Sequence, residues 1–195
     1  ILAAGMGTRL RPFTKTTPKS LTVIKDEPLI ERQIRFLQEI GINNIVVVTG
    51  YLHEKFSYLK EKFHVSLIYN DKFDQYNNIY SMFLVKEFLP DAYVIDADNY
   101  ISRNFFLKHP GSSMYFSVKR PFQNEWVIKT DGEKRVVDIV VTDEGNDFIL
   151  SGVSFWSKED GEYIAGKLEE NMTKDENFKA LYWDEIVKNN IRNLN

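Results

Sequence analysis

Short apolar runs alternate with amphipathic stretches through the first half of the chain, and this alternation constrains the fold more than any other feature. Ile45–Val48 is a continuous β-branched run, typical of a strand that is buried on both faces. The stretch before it, Leu29–Ile40, places apolar residues at helical spacing and is followed by Gly41, a common helix stop. Repeated strand–helix units with connections of this length require a parallel sheet covered by helices. We therefore predict an α/β fold.

Apolar periodicity predicts the remaining elements of the chain. Residues 1–4 open the first half as a strand, and strands 67–69 and 92–97 with helices 56–63 and 79–88 complete it. The second half changes rhythm, with several strands and turn-rich stretches before two helices. These are strands 114–119, 126–129, 136–142 and 148–156 and helices 158–171 and 183–194. A sheet that includes both halves is mixed, and its ligand crevice lies at the carboxyl ends of the first-half strands.

The length and the ends of the chain bear on its domain organisation. A chain of 195 residues fits one globular domain, and no linker or internal repeat interrupts it. We expect residues 1–195 to form a single domain. Because the chain opens inside an apolar run and stops just after a helical pattern, we also expect that a few N-terminal residues and a C-terminal segment are missing.

Charge and composition exclude several classes of protein. A net charge of −3 and a pI near 5.7 give no electrostatic reason to expect a nucleic-acid binder. No apolar run approaches the roughly 20 residues of a membrane span, and no segment resembles a signal peptide. The absence of cysteine excludes disulfides and thiolate metal sites, which suits a reducing compartment. We therefore expect a cytoplasmic protein with neither a nucleic-acid nor a membrane partner.

A glycine-containing segment directly after the first strand predicts an anion site. Leu2–Gly7 reads Leu-Ala-Ala-Gly-Met-Gly, and such small residues let backbone N–H groups approach an anion closely. Arg9 and Lys19 add two cations nearby, as the binding of a triphosphate requires. The spacing fits neither a Walker A loop nor the dinucleotide fingerprint, which needs a third glycine where Leu10 stands. The glycines alone leave open a tight strand-to-loop turn.

Two acids stand at the end of the apolar run Tyr93–Ile95. Asp96 and Asp98 are two positions apart, so their side chains point the same way if the strand continues that far. The carboxyl end of a strand is where an α/β sheet opens its crevice, and carboxylate oxygens are ligands that Mg²⁺ prefers. The pattern predicts a magnesium ligand, with an acidic turn or a helix cap as the alternative.

A polar segment and a set of aromatic residues are further candidates. Residues 70–81 are rich in amides and hydroxyls, which can donate to and accept from the edge of a base, although Asn78 equally suits the cap of a following helix. All three tryptophans follow residue 120 and stand beside polar or aromatic residues. Aromatic faces with a nearby carboxylate bind quaternary ammonium groups. By composition alone, ordinary core packing explains the tryptophans equally well.

The motifs taken together resemble a known family. Residues 2–12 (Leu-Ala-Ala-Gly-x-Gly-Thr-Arg-Leu-x-Pro) and 18–21 (Pro-Lys-Ser-Leu) are similar to the signature of nucleotidyltransferases that make sugar nucleotides and CDP-alcohols. Further strings resemble bacterial CTP:phosphocholine cytidylyltransferases over nearly the whole chain: Tyr-Asn-Asn at 76–78, Ile-Asp-Ala-Asp-Asn-Tyr at 95–100, Asn-Glu-Trp at 124–126, Ser-Gly-Val-Ser-Phe-Trp at 151–156 and Leu-Tyr-Trp-Asp at 181–184. The resemblance implies a Rossmann-like, three-layer α/β/α fold of the nucleotide-diphospho-sugar transferase type, with a mixed, mostly parallel sheet.

The resemblance also implies a reaction and a set of site residues. CTP and phosphocholine would give CDP-choline and pyrophosphate with Mg²⁺ as cofactor. Lys19, Arg9 and Asp98 would be catalytic, and Asp98 would hold the metal with Asp96 as a second candidate. Nucleotide would contact Leu2, Ala3, Ala4, Gly5, Met6, Gly7, Tyr76, Asn77, Asn78 and Ser81. Choline would contact Glu125, Trp126, Trp156, Tyr182, Trp183 and Asp184.

Several alternatives stay open at this point. Relatives also supply a second metal-binding acid near the end of the domain, and no residue before Asn195 matches it. The rival substrates are 2-aminoethylphosphonate, phosphoethanolamine and a sugar 1-phosphate. A rival of another class is a catalytically silent nucleotide-binding module that regulates a partner. A choline kinase or an aminotransferase, fused or separate, is the expected kind of protein partner.

Overall fold

The computed structural model describes residues 1–174 and 176–195, and eight strands form its sheets. In chain order they are β1 (Leu2–Ala3), β2 (Val23–Ile24), β3 (Glu27–Pro28), β4 (Val46–Thr49), β5 (Ser66–Tyr69), β6 (Ala92–Ile95), β7 (Met114–Thr130) and β8 (Val136–Trp156). The α-helices are α1 (Leu29–Glu39), α2 (Tyr58–Phe63), α3 (Asn78–Leu84), α4 (Lys158–Lys174) and α5 (Trp183–Asn190). None of the described helices is long and apolar enough to cross a bilayer.

The sheet topology combines a parallel and an antiparallel part. Strands β1, β4 and β5 are parallel in the order β1-β4-β5, and β6, β8 and β7 are antiparallel in the order β6-β8-β7. A parallel bridge between Leu2 and Asp96 joins the two parts, and the N–H of Ala97 donates to the carbonyl of Leu2 at 3.0 Å. The prediction of an α/β fold with a mixed sheet is confirmed.

Two apolar clusters cover the opposite faces of this sheet. Val47 packs in the cluster that α1 and α2 cover, and its neighbour Val48 packs in the cluster under α3, α4 and α5. Val94 and Ile95 of β6 divide between the two clusters in the same way. Successive side chains of a strand point to opposite faces, so a run of apolar residues serves two helical layers at once. The three-layer arrangement is confirmed.

The second half differs from the prediction in the extent of its strands. The four strands predicted between residues 114 and 156 are the arms of one long hairpin, β7 and β8, with register shifts at Phe116/Ser117 and around Val127. Val127 aligns with both Val140 and Ile149, because the hairpin folds back on itself. Backbone pairing continues through polar stretches, since a ladder needs N–H and C=O partners rather than apolar side chains.

Two smaller differences concern strand and helix ends. Strand β6 ends at Ile95, two residues before the predicted end at residue 97, and Asp98 lies in a turn. The strand therefore does not continue as far as Asp98, which was the condition for the two acids to point the same way. The helix predicted at 79–88 is divided between α3 and a 3-10 turn at Lys86–Phe88. Asp96 is still paired with Leu2 in a parallel bridge, whereas Asp98 reaches the crevice from a turn, where strand alternation does not set its direction.

Candidate active site

The loop after β1 is braced by a contact that requires glycine. Gly7 has a φ of 59°, and a Cβ there would lie 3.0 Å from the methyl group of Thr14. The Thr14 hydroxyl donates to the Gly7 carbonyl at 2.8 Å. A side chain at Gly7 would meet both backbone strain and this neighbour. The loop therefore presents its backbone to one cleft in a defined conformation.

The first cleft opens above the carboxyl ends of the parallel strands. All ten residues that the sequence predicted for nucleotide binding line it, together with Lys19, Asp96 and Asp98. Asn70, which the sequence placed only within a polar segment, also lines the cleft and donates from Nδ2 to the Ser81 hydroxyl at 2.9 Å. This buried pair holds Ser81 in place at the start of α3. The tertiary structure thus brings the glycine loop and the amide-rich segment to one site.

Lys19 and Asp98 form an ion pair in this cleft. The Nζ atom of Lys19 lies 2.5 Å from Oδ2 of Asp98, and the two side chains are 39% and 41% exposed. Because both groups remain accessible, an incoming phosphate can reach the ammonium and a cation can reach the carboxylate. The two predicted catalytic charges are therefore direct neighbours across 79 positions of sequence.

A second cleft lies beside the first and is lined by aromatic and acidic side chains. Trp126, Tyr182, Trp183, Asp184 and Glu125, all predicted to bind choline, line it. The rings of Trp126 and Tyr182 meet edge to face, with their centroids 6.1 Å apart. Trp126 comes from β7, whereas Tyr182 and Trp183 lie at the start of α5, so the lining forms only when hairpin and helix pack together. The cleft combines aromatic faces with carboxylates, as a site for an organic cation requires.

Trp156 is the one predicted choline residue outside both clefts. Its side chain is 2% exposed, and its Nε1 donates to the Ser154 hydroxyl at 3.0 Å. Its ring packs edge to face against Tyr115 at 5.3 Å and Trp183 at 6.0 Å. The residue faces the helical layer, where β8 packs against the core, and it supports two residues that do line the cleft.

Arg9 lies in a cleft that the sequence did not predict for it, and Glu125 has a partner that the sequence did not predict. Arg9 lines the second cleft rather than the first, so its predicted contact with pyrophosphate stays a prediction. Glu125 lies 3.4 Å from Arg120, measured from Oε1 to Nη2, and Arg120 also lines the second cleft. The second cleft therefore carries two arginines beside its acids.

Three carboxylates set the electrostatics where the clefts meet. Burial above all, then the charges of Asp184 and Asp98, raise the pKa of Asp96 to about 8. Burial raises the pKa of Asp184 to about 7, although a hydrogen bond from Tyr115 at 3.0 Å opposes the shift. Burial also raises the pKa of Tyr115, so its phenol keeps a proton to donate. A bound cation would lower the pKa of the Asp96 and Asp184 carboxyls and so favour their charged forms.

The two clefts share three lining residues: Asn78, Asp96 and Asp98. The carbonyl oxygen Oδ1 of Asn78 accepts from the backbone N–H of Trp183 at 2.9 Å. The side chain of the preceding Asn77 donates to the carbonyl of Ala180 at 2.5 Å. The start of α3 is thus tied to the start of α5.

Asn78 does not cap a helix that begins at residue 79, as its sequence position suggested. Its side chain is hydrogen-bonded to the start of α5 instead. Asn78 is the first residue of α3, so it does not precede a helix that starts at residue 79. Its oxygen instead satisfies the free N–H at the start of α5, because the first N–H groups of a helix have no partner within it. One side chain therefore bridges the two helices whose starts line the two clefts.

The shared carboxylates fit a magnesium ion held jointly with substrate. Mg²⁺ is usually bound by one or two carboxylates, with waters and phosphate oxygens completing its shell. Asp96 and Asp98 supply two carboxylates. Burial is the main cause of the raised pKa of Asp96, and a bound dication would oppose that shift by favouring the charged form. No group of three or more acidic or histidine side chains in the described ranges, 1–174 and 176–195, is arranged to hold a metal alone. Waters and substrate phosphates would complete the coordination of an ion held by these two carboxylates.

Sequence reasoning missed Tyr115, Arg120 and Asn99 of the second cleft. Tyr115 and Arg120 occur within or next to a predicted strand, where an aromatic or basic residue carries no signal of function. Asn99 directly follows the predicted acids, and its buried Nδ2 has no partner among the described residues. Gly152 makes room here, because a Cβ at that position would lie 2.5 Å from this Nδ2. The run of Asp and Asn at 96–99 was the one signal available for Asn99.

Comparisons with known proteins agree with this geometry. The family model described as nucleotidyl transferase matches residues 1–188. The choline-phosphate cytidylyltransferase of Streptococcus pneumoniae is 50% identical over 195 residues, which cover all of this chain and 84% of that protein. The 2-aminoethylphosphonate cytidylyltransferase of Lancefieldella rimae is 35% identical over 200 residues, which cover all of this chain and 80% of that protein.

A solved structure gives the same result in three dimensions. The structure of CTP:phosphocholine cytidylyltransferase from Streptococcus pneumoniae superposes with a TM-score of 0.94 at 50% identity, covering 99% of this chain and 84% of that one. The family match, the full-length relatives and the superposition lead to one conclusion. This chain belongs to the nucleotidyl transferase family and is a nucleotidyltransferase.

Proposed function

We propose that the protein converts CTP and phosphocholine to CDP-choline and pyrophosphate. One observation carries the proposal: a cleft lined by a glycine loop and a lysine meets a cleft lined by aromatic rings and carboxylates at Asn78, Asp96 and Asp98. A reaction that joins a nucleotide to a phosphorylated amine needs two adjacent sites with their phosphates at the junction. The names of the Streptococcus pneumoniae relative and structure support the same pair of substrates.

The nucleotide side of the reaction relies on charge neutralisation. A phosphate oxygen of phosphocholine attacks the α-phosphorus of CTP, and the bond from that phosphorus to the bridging oxygen of the β-phosphate breaks. The electron pair of this bond leaves with pyrophosphate. Lys19 neutralises charge on the transferred phosphoryl group, and the loop that ends at Gly7 offers backbone N–H groups to the phosphates. No covalent intermediate with the protein is needed, because the two substrates are held in line.

The amine side of the reaction relies on aromatic faces and buried acid. A trimethylammonium group has no N–H to donate, so Trp126 and Tyr182 bind it through their ring faces. Asp184 balances the charge from within the cleft. Trp156 supports this lining from behind, through its contacts with Tyr115 and Trp183. The aromatic lining favours phosphocholine over a sugar 1-phosphate, whose hydroxyls need polar partners.

Asp98, with Asp96 beside it, is the proposed holder of Mg²⁺. When bound, Mg²⁺ supplies positive charge that stabilises the phosphates during transfer. The remaining work falls to residues of this chain, which bind, orient and neutralise. Intact Lys19 and Asp98 at hydrogen-bonding distance favour an enzyme over a silent regulatory module.

Two further features belong to the proposal. The absence of cysteine favours the cytoplasm as the place of the reaction. A choline kinase or an aminotransferase, whether fused or separate, stays a prediction as the protein partner.

A product assay tests the proposed function. The purified protein is incubated with Mg²⁺ and with CTP, UTP, ATP or GTP, each against phosphocholine and against glucose 1-phosphate, and pyrophosphate release is measured. We expect turnover with CTP and phosphocholine and little with the other pairs. Faster turnover of glucose 1-phosphate than of phosphocholine would contradict the proposal, as would the absence of turnover with every pair.

A further inference from the structure

The hydroxyl of Tyr115 donates a hydrogen bond to a carboxylate oxygen of Asp184 in the second cleft. Tyr115 Oη donates to Oδ1 of Asp184 at 3.0 Å, and both residues line that cleft. The two are 69 positions apart in sequence, one on β7 and one on α5. The ring of Tyr115 is fixed by edge-to-face packing against Trp156 at 5.3 Å. The hydroxyl is therefore held against one particular carboxylate oxygen.

The contact between Tyr115 and Asp184 affects a quaternary ammonium and a primary ammonium differently, because only the primary ammonium has N–H groups to donate. A buried carboxylate is stable only when its oxygens accept hydrogen bonds. A trimethylammonium group offers charge but no N–H, so the protein itself must supply the donor. A primary ammonium carries three N–H donors and, when it is buried, needs acceptors for them. The aromatic rings around the cleft provide no strong acceptor. Among the carboxylates that line it, Glu125 is paired with Arg120 and Asp98 with Lys19, whereas Asp184 has no basic partner among the described residues. Asp184 is therefore a carboxylate for which the Tyr115 hydroxyl and a primary ammonium would compete.

We propose that Tyr115 is a specificity-determining residue, whose hydroxyl takes one of the two Asp184 oxygens that a primary ammonium could otherwise use as an acceptor. The cleft then accepts a quaternary ammonium, which asks only for charge and aromatic faces, and discriminates against a primary amine. This inference rests on the proposed function and adds a cause for its selectivity. The two residues then have different roles: Asp184 supplies negative charge to the bound cation, and Tyr115 limits the hydrogen bonds that Asp184 can accept from it.

The variant Tyr115→Phe tests this role by removing one oxygen atom. The value of kcat/KM is measured with CTP against phosphocholine and against phosphoethanolamine, which differ only in three methyl groups. Loss of a hydrogen bond to a charged group weakens the phosphocholine reaction about ten- to hundredfold. The N–H of a primary ammonium replaces the missing donor, so the phosphoethanolamine reaction falls less or rises. We expect the phosphocholine-to-phosphoethanolamine ratio to drop at least about tenfold.

Two controls make the ratio specific. Tyr163→Phe removes a hydroxyl that donates to Asn190 at 3.1 Å, away from both clefts, and its ratio should equal the wild-type ratio. In an Asp184→Ala background, Tyr115→Phe should change the ratio little, because the contested oxygen is gone. Partial unfolding lowers both rates by one factor and cancels in the ratio.

The outcomes separate this inference from the proposed function. If wild type turns over phosphocholine but Tyr115→Phe keeps the wild-type ratio, Tyr115 has no role in selectivity and the inference is overturned. An equal drop of the ratio in Tyr163→Phe would also overturn it. If wild type turns over neither amine, the proposed function itself fails, and the inference fails with it.

Discussion

Replacing Asp184 with Asn is expected to remove a pH dependence from the stability of the ligand-free protein. Burial raises the pKa of the Asp184 carboxyl from its ordinary value of 3.8 to about 7. The titratable groups around it are Tyr115, Asp96 and Glu185. Asn has the same shape and still accepts the Tyr115 hydroxyl, but it does not titrate. The Asp184→Asn variant therefore removes the titrating charge at this position and keeps the hydrogen bond from Tyr115.

The sign and size follow from proton linkage. Between the two pKa values the folded protein holds a proton on Asp184 that the unfolded chain has lost, so the free energy of unfolding falls as pH rises. For a folded pKa of about 7, the loss between pH 5 and pH 7 is about 2 kcal/mol. Asp96, whose pKa is about 8, adds a loss in the same direction. Since Asp184 contributes to that shift, Asp184→Asn also relieves part of it.

Urea unfolding at a series of pH values measures the effect. Wild type and Asp184→Asn are compared from about pH 5 to pH 8 in a chelator, with phosphocholine absent, and the slope of unfolding free energy against pH is the readout. We expect the variant to show a flatter slope and higher stability at pH 7. Equal slopes in the two proteins would refute the reasoning, since they would mean that Asp184 is ionised in the folded state throughout.

Four substitutions test the remaining parts of the site. Lys19→Ala should lower kcat about 100-fold or more while the fold survives. The control is Lys15→Ala, which removes a neighbouring exposed lysine. A wild-type kcat in Lys19→Ala would show that Lys19 has no part in the mechanism. Asp98→Asn should shift the Mg²⁺ dependence of the rate about tenfold upward, and an unchanged titration would reassign the ligand. Trp126→Ala should raise the phosphocholine KM about 2- to 30-fold with little change for CTP; equal changes would indicate packing. Asn78→Ala removes the acceptor for the N–H at the start of α5 and should raise the phosphocholine KM about fivefold; a rise confined to CTP would limit Asn78 to nucleotide binding.

The candidate site was predictable wherever its residues are neighbours in sequence. The ten residues predicted for nucleotide binding all line one cleft, because the loop after β1 and the start of α3 each lie at the carboxyl end of a strand. Trp156 and Arg9 were harder to place. Whether a residue on a long hairpin or a loop faces a cleft depends on packing partners far along the chain. The local sequence pattern does not indicate those partners.

Local sequence pattern by itself determined the α/β class, the phosphate loop with its lysine, and the run of acids that follows β6. These depend on backbone preferences and on side chains a few positions apart, which act in the same way in any chain. Only the tertiary structure decided that the arms of one hairpin replace four strands, that Asn78 bridges to Trp183, and that Tyr115 donates to Asp184. Such contacts join residues from 69 to 105 positions apart. They form only when separate elements pack, since each partner alone would be satisfied by water.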